Sequence, residues 1–195
     1  MPPGFAAPDF HVKLDPAEFV RMTPPAAMIR GVFITNLLVM ARSVGRELSC
    51  VDPKKKYHAF KDYPLTEHVR ILSEVARVVH PALSLGQALR QIGQSIYPMF
   101  ASSLIGKVIF STVGHTPTSL LSAGIKAYNV SASVGSVRIL QLDDQHGHFF
   151  LDEMYNYVEQ YHVGIMEGAI KVIGYVPQVL TKPMTRTSSE FYVTW

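Results

Sequence analysis

The sequence predicts an α+β domain: an N-terminal layer of helices packed on a mostly antiparallel sheet of about five strands, with one long helix inserted before the terminal hairpin. Three observations carry this. Apolar residues recur at helical spacing from Val32 to Ala127, and the period changes to strict alternation after Tyr128. A glycine-bearing helix then runs up to Ile173, with Gly164 and Gly168 one turn apart on one face, so that a backbone or a ligand can approach closely. Finally, Val176 to Leu180 and Ser189 to Trp195 read as two strands, the last rich in large aromatics and ending on the single tryptophan.

The first 27 residues hold six prolines and form an arm, and residues 28–195 form one α+β domain. Within the arm, Asp15-Pro16-Ala17-Glu18 supplies a capping acid, a proline at the first helical position and an early glutamate. A short helix over Pro16 to Met22 follows, and Phe10, Leu14, Phe19 and Val20 dock the arm on the body or on a second copy. The first core helix spans Val32 to Glu47. The second starts at Leu65, with Thr66 as a cap, and stops at His80-Pro81; the third follows Ser84 and ends at Tyr97-Pro98. Met99 to Thr112 reads as a further helix and Thr118 to Ala127 as a short one. Val130 to Val134 and Val137 to Leu142 then alternate around Gly135-Ser136, which predicts a hairpin. His148 to Leu151 is a third strand after the turn at Asp143 to Gly147, and Asp152 caps the long helix.

Composition narrows the function classes. Hydrophobic residues make up 48% of 195 and charged residues 17%, which suits a large core, an internal cavity or an adhesive interface. The longest apolar stretch, Val32 to Ala41, is broken by Thr35 and Asn36 and is too short to span a bilayer. With no basic-then-apolar leader, a cytoplasmic location is expected. Cys50 is the single cysteine, so no internal disulfide forms; nearby Arg46, Lys54 and Lys55 could lower its pKa, though an incidental thiol is the favoured reading. The net charge of +3 is mild and Lys54-Lys55-Lys56 is its only run, so no nucleic-acid partner is expected.

No phosphate loop, serine elbow or Cys-His-Asn series is present, and an enzyme is not expected. His146 and His148 would share one face of a strand, near Asp143 and Asp144, which makes them weak metal candidates without a third strong ligand. His162 on the glycine helix could touch a buried ligand, although a satisfied core histidine is the commoner role. For the glycine pair, packing of the helix on the sheet is favoured over approach of a ligand. An apolar cavity between helices and sheet would be walled by Met99, Phe100, Phe110, Phe149, Met154, Gly164, Met166, Gly168, Tyr192 and Trp195.

Ile29-Arg30-Gly31-Val32-Phe33, Tyr63-Pro64-Leu65, Gln87-Ala88-Leu89-Arg90-Gln91-Ile92-Gly93, Ser103-Leu104-Ile105-Gly106-Lys107 and the Gly164/Gly168 helix occur in an order that resembles a myxobacterial family of unknown function with many paralogues. The likeness spans about residues 29–174. More distantly, the order of elements is similar to heme-NO-binding and vinyl-reductase-type ligand domains and to TRAPP-type subunits, whose members bury heme or another apolar ligand, or dimerise through their helices. The Tyr-x-Ser-x-Arg signature of the heme sensors is missing from Tyr128-Asn129-Val130-Ser131-Ala132, so no cofactor is expected and heme is doubtful. The expected function is a non-enzymatic sensory or regulatory domain that binds an apolar, lipid-like small molecule between helices and sheet. The alternatives are a homodimerising interaction module with a filled core and, third, a heme or metal sensor.

Overall fold

The computed structural model describes residues 2–102 and 116–195. Helix α1 (Pro16–Met22) starts where the sequence places it, because the Asp15 carboxylate accepts from the Ala17 amide at 3.0 Å and Pro16 occupies the first turn. Its Phe19 is buried against the Tyr157 ring, with centroids 4.3 Å apart. The arm docks on the body of its own chain: Ala6 bridges Thr181, and the Phe10 ring lies under the Arg90 guanidinium at 4.7 Å.

Strand β1 (Met28–Arg30) pairs with β2 (Asp62–Pro64) in a small antiparallel sheet that leads into α2 (Gly31–Ser43) and α3 (Leu65–Val79). Gly31 is required at this junction, since a Cβ there would lie 2.2 Å from the His58 carbonyl oxygen. Helix α2 ends at Ser43, short of Glu47, and Pro64 rather than Thr66 occupies the α3 cap position. Ile34, Leu37, Ile71, Leu72, Val75, Leu89 and Ile92 are fully enclosed between α2, α3 and α4 (Leu85–Ser102). Each contributes about 1.5–3 kcal/mol by leaving water.

Helix α4 does not stop at Tyr97-Pro98; Pro98 lies inside it. A proline lacks the N–H that would bond four residues back, so the Gln94 carbonyl loses its helical donor. That carbonyl is the one over which Gly168 packs, and a neighbour seated there keeps the helix in register. The expected helix over Met99 to Thr112 lies largely outside the described residues, and α4 carries its first residues.

Helix α5 (Pro117–Asn129) opens with a capping box between Thr116 and Ser119. Val130 to Val134 forms no hairpin strand. Instead it follows β1, with Arg30 N donating to Ser131 O at 2.8 Å and Ser133 N donating to Met28 O at 3.0 Å. Its alternating residues find a partner distant in sequence. The hairpin is made by β3 (Ser136–Leu142) and β4 (His146–Asp152), joined by a turn in which the Asp143 carboxylate accepts from the amides of Gln145 and His146.

Asp152 caps no helix: residues 153–160 form turns, with Glu153 at φ 53° and Tyr157 at φ 64°. The glycine helix α6 is therefore shorter than expected, at Tyr161–Lys171. Strands β5 (Gln178–Pro183) and β6 (Ser189–Thr194) complete a four-stranded antiparallel sheet of order β3-β4-β6-β5. Its inner face presents Phe149, Leu151, Phe191 and Val193 to α6. Gly147 lets the Phe149 ring fold across it, at the position a Cβ would occupy. Helix α6 stands between the two cores, with Tyr161 in the helical one and Val163, Met166 and Ile170 in the sheet-side one.

Candidate functional site

An apolar cavity of about 140 Å3 opens where α4 and α6 diverge from α5. Val32 and Phe33 of α2, Ile96, Tyr97 and Phe100 of α4, Leu120, Leu121 and Ile125 of α5, and Ile165, Met166 and Ala169 of α6 line it, with Val137 and Leu151 of the sheet. Ala123, Gly124 and Ala127 line it from α5: small residues at this spacing share one helix face, and a Cβ on Gly124 would lie 3.6 Å from the Tyr97 ring, an ordinary contact rather than a clash. Among the described residues no Lys, Arg, Asp or Glu belongs to the lining.

Polar side chains of the wall include Tyr97, whose hydroxyl donates to the Leu120 carbonyl at 3.4 Å, together with Tyr128, Ser131 and His162. His162 is buried, and its Nε2 lies 2.8 Å from the Asn156 side-chain oxygen. Burial, reinforced by nearby His68, depresses its pKa to about 3, so the ring is neutral at ordinary pH. Two aromatic edges hold it in place, Tyr161 at 5.4 Å and Tyr128 at 5.8 Å between centroids. Tyr128 is half-buried, and desolvation of its hydroxyl raises the phenol pKa.

Of the residues expected in the wall, Phe100 and Met166 line this cavity. Phe110 lies outside the described residues. Met99 packs on the helical core, and Phe149 and Met154 fill the sheet-side core. Tyr192 lies on the outer sheet face beside His146, and the Trp195 indole donates to the Asp144 carbonyl at 2.8 Å. Gly164 and Gly168 face neither a strand nor the cavity. A Cβ on Gly164 would lie 2.1 Å from Arg90 O, and one on Gly168 would lie 2.3 Å from Gln94 O. Gly93 meets α6 in the same way, at 2.2 Å from Tyr161 O, so the glycines form a helix-to-helix seam between α4 and α6. Beside it Glu167, almost wholly buried, accepts from Arg90 Nε at 2.8 Å and from Gln94 Nε2 at 2.6 Å.

His146 and His148 do share the outer sheet face, but each is held by its own carboxylate: Asp143 at 3.0 Å and Glu190 at 2.8 Å. Among the described residues no group of three or more His, Cys, Asp or Glu could hold a metal ion. Cys50 is exposed and lies beside Glu74, not a cation cluster; partial desolvation by its neighbours together with that carboxylate pushes its thiol up to about 12. The cations near it in sequence do not activate it. A second hollow, of about 350 Å3, lies between the arm and the β5–β6 turn. Its lining mixes Glu159, Gln160, Thr185 and Arg186 with apolar groups, so it offers no continuous apolar wall.

Among the described residues no helix is long and apolar enough to cross a membrane. No curated protein matches the chain. Among solved structures it is similar to an H-NOX protein from S. oneidensis in the Fe(II)NO ligation state, at 16% identity and a TM-score of 0.66, covering 85% of this chain and 98% of that one. It is also similar to the Fe(II) unliganded H-NOX protein from K. algicida, at 11% identity and a TM-score of 0.60, covering 85% and 96%. Identities this low show a shared fold and nothing further. The family model described as a protein of unknown function, DUF2378, matches residues 23–195. With nearly nine-tenths of its length matched and an H-NOX-like arrangement of helices and sheet, the chain belongs to the DUF2378 family.

Proposed function

We propose that this domain is a non-enzymatic sensory or regulatory module that binds a small apolar molecule in the cavity between α4, α5 and α6. The observation that carries the reading is the lining: a space of about 140 Å3 walled mainly by aliphatic and aromatic side chains, with no charged group among its described residues. An apolar cavity of about 150 Å3 stays dry in another protein and takes up benzene or xenon. Drug-sized ligands need roughly 300–1,000 Å3, so the ligand here is of benzene size, or a short segment of an acyl chain.

The same lining supports a reading without heme. No described lining residue is a cation that could pair with propionates, and Nε2 of His162, the histidine in the wall, is already committed to Asn156. A planar macrocycle also exceeds the space. The similar solved structures include H-NOX proteins in Fe(II) and Fe(II)NO states. In our reading this chain keeps their fold around a smaller occupant.

The test is calorimetric titration and thermal melting of the full chain with benzene. At a hundredfold excess over Kd, stability rises by about 2.7 kcal/mol, equivalent to about 5–10 °C in Tm. Ala123→Phe, which fills the space from α5, should abolish the shift while the protein stays folded. An unchanged Tm at saturating benzene, with no heat of binding, would sink the reading.

A further inference from the structure

Resting on the cavity reading above, we propose that the ligand is a neutral molecule bearing one hydrogen-bond donor, such as an alcohol or a phenol, which it gives to Nδ1 of His162. The Asn156 atom that meets Nε2 is a carbonyl oxygen, which can only accept, so Nε2 must carry the ring proton. In a neutral imidazole the other nitrogen is then a lone-pair acceptor. No described residue donates to Nδ1 of His162.

The ring is not free to exchange these roles. Asn156 is itself buried, and the Tyr161 and Tyr128 edges fix the plane of the imidazole in the cavity wall. Protonation would require a charge in an apolar, enclosed site, and burial works strongly against it. The wall thus offers an acceptor to a donor and, among its described residues, no cation to an anion. A hydroxyl entering a purely apolar cavity would lose its hydrogen bonds to water without replacement, whereas at His162 it regains one.

Benzene, phenol and benzoate distinguish these cases by titration against the full chain. Phenol should bind at least as tightly as benzene, and benzoate should not bind detectably. In His162→Phe the order of the two ligands should reverse, with phenol falling behind benzene by about fivefold or more. Because that variant could repack, the wild-type protein provides a second readout: the 15N resonance of His162 Nδ1 should move on adding phenol and stay in place with benzene. Phenol binding weaker than benzene in the wild type by the same factor as in the variant would overturn the proposal, as would a stationary Nδ1 resonance. Benzoate binding tighter than phenol would overturn it too. Failure of benzene itself to bind the wild type would instead refute the cavity reading on which the proposal rests.

Discussion

Helices α4 and α6 make both the tightest and the loosest contacts described above. On one side Gly93, Gly164 and Gly168 bring the two backbones together with no room for a Cβ. On the other side Ile96, Tyr97 and Phe100 of α4 and His162, Ile165, Met166 and Ala169 of α6 turn toward α5, where the cavity remains. A helix pair clamped by backbone contact cannot relax to fill a neighbouring gap, because closing the gap would open the seam. The rigid side therefore preserves the empty one. Small residues have different effects on the two sides: glycines facing a partner backbone bring two helices together, whereas Ala123, Gly124 and Ala127 line the cavity.

The largest expected effect is at the seam. Gly164→Ala places a Cβ against the Arg90 carbonyl, and with backbone on both sides it should cost about 3 kcal/mol or more in urea unfolding. A change below half that value would mean that the helices slide apart easily, and the contrast with the cavity would dissolve. Arg90→Ala leaves the buried Glu167 carboxylate with Gln94 but without its cation. Removing one partner of a buried pair costs about 3–5 kcal/mol; with Arg90 about a third exposed, about 2 kcal/mol is expected.

Two buried histidines sharpen the comparison. His68 in the helical core is fully buried with neither ring nitrogen bonded, and burial lowers its pKa to about 4. His162 at the cavity wall has a partner. His68→Leu removes two unsatisfied polar atoms and should be neutral or stabilising by about 1 kcal/mol at pH 7. His162→Leu strands the Asn156 oxygen and should destabilise by about 1–3 kcal/mol. Equal effects of the two substitutions in thermal melts would refute the distinction.

Both folded-state pKa values lie below the unfolded value of 6.5. The unfolded chain therefore binds more protons as pH falls, and stability that is complete above about pH 6.5 declines toward pH 4. His68→Leu should flatten that decline, and an unaltered slope in urea titrations between pH 7 and pH 4 would count against it. The smallest effect should be at the outer sheet face, where His146→Ala breaks an exposed pair with Asp143 and should leave the urea midpoint unchanged.

Little of the site is legible in the sequence beyond its apolar character. Phe100 and Met166 belong to the cavity, but Met99, Phe149, Met154, Tyr192 and Trp195 are apolar or aromatic residues that serve other surfaces, and composition does not separate the two uses. Tyr128 and Phe33 went unrecognised as wall residues. The available signal was the small-residue face of α5, which marks where volume is missing. His162 stood out as a polar ring on an apolar helix, yet its role depends on Asn156, six residues away and held close by the turn at Tyr157.

What the chain determined by itself was local: the order of helices and strands, the α1 start at Asp15-Pro16, and the strands around β5 and β6. Capping, proline and hydrophobic period act within a turn or two, so they are written in neighbouring residues. Tertiary structure decided which surface each face would meet. Pro98 stays inside α4 because α6 packs over the carbonyl it frees, residues 131–133 follow β1 instead of forming a hairpin, and Gly164 and Gly168 meet a helix. Each of these outcomes rests on backbone contacts between segments far apart in the chain, and a backbone contact carries no side-chain pattern by which to announce its partner.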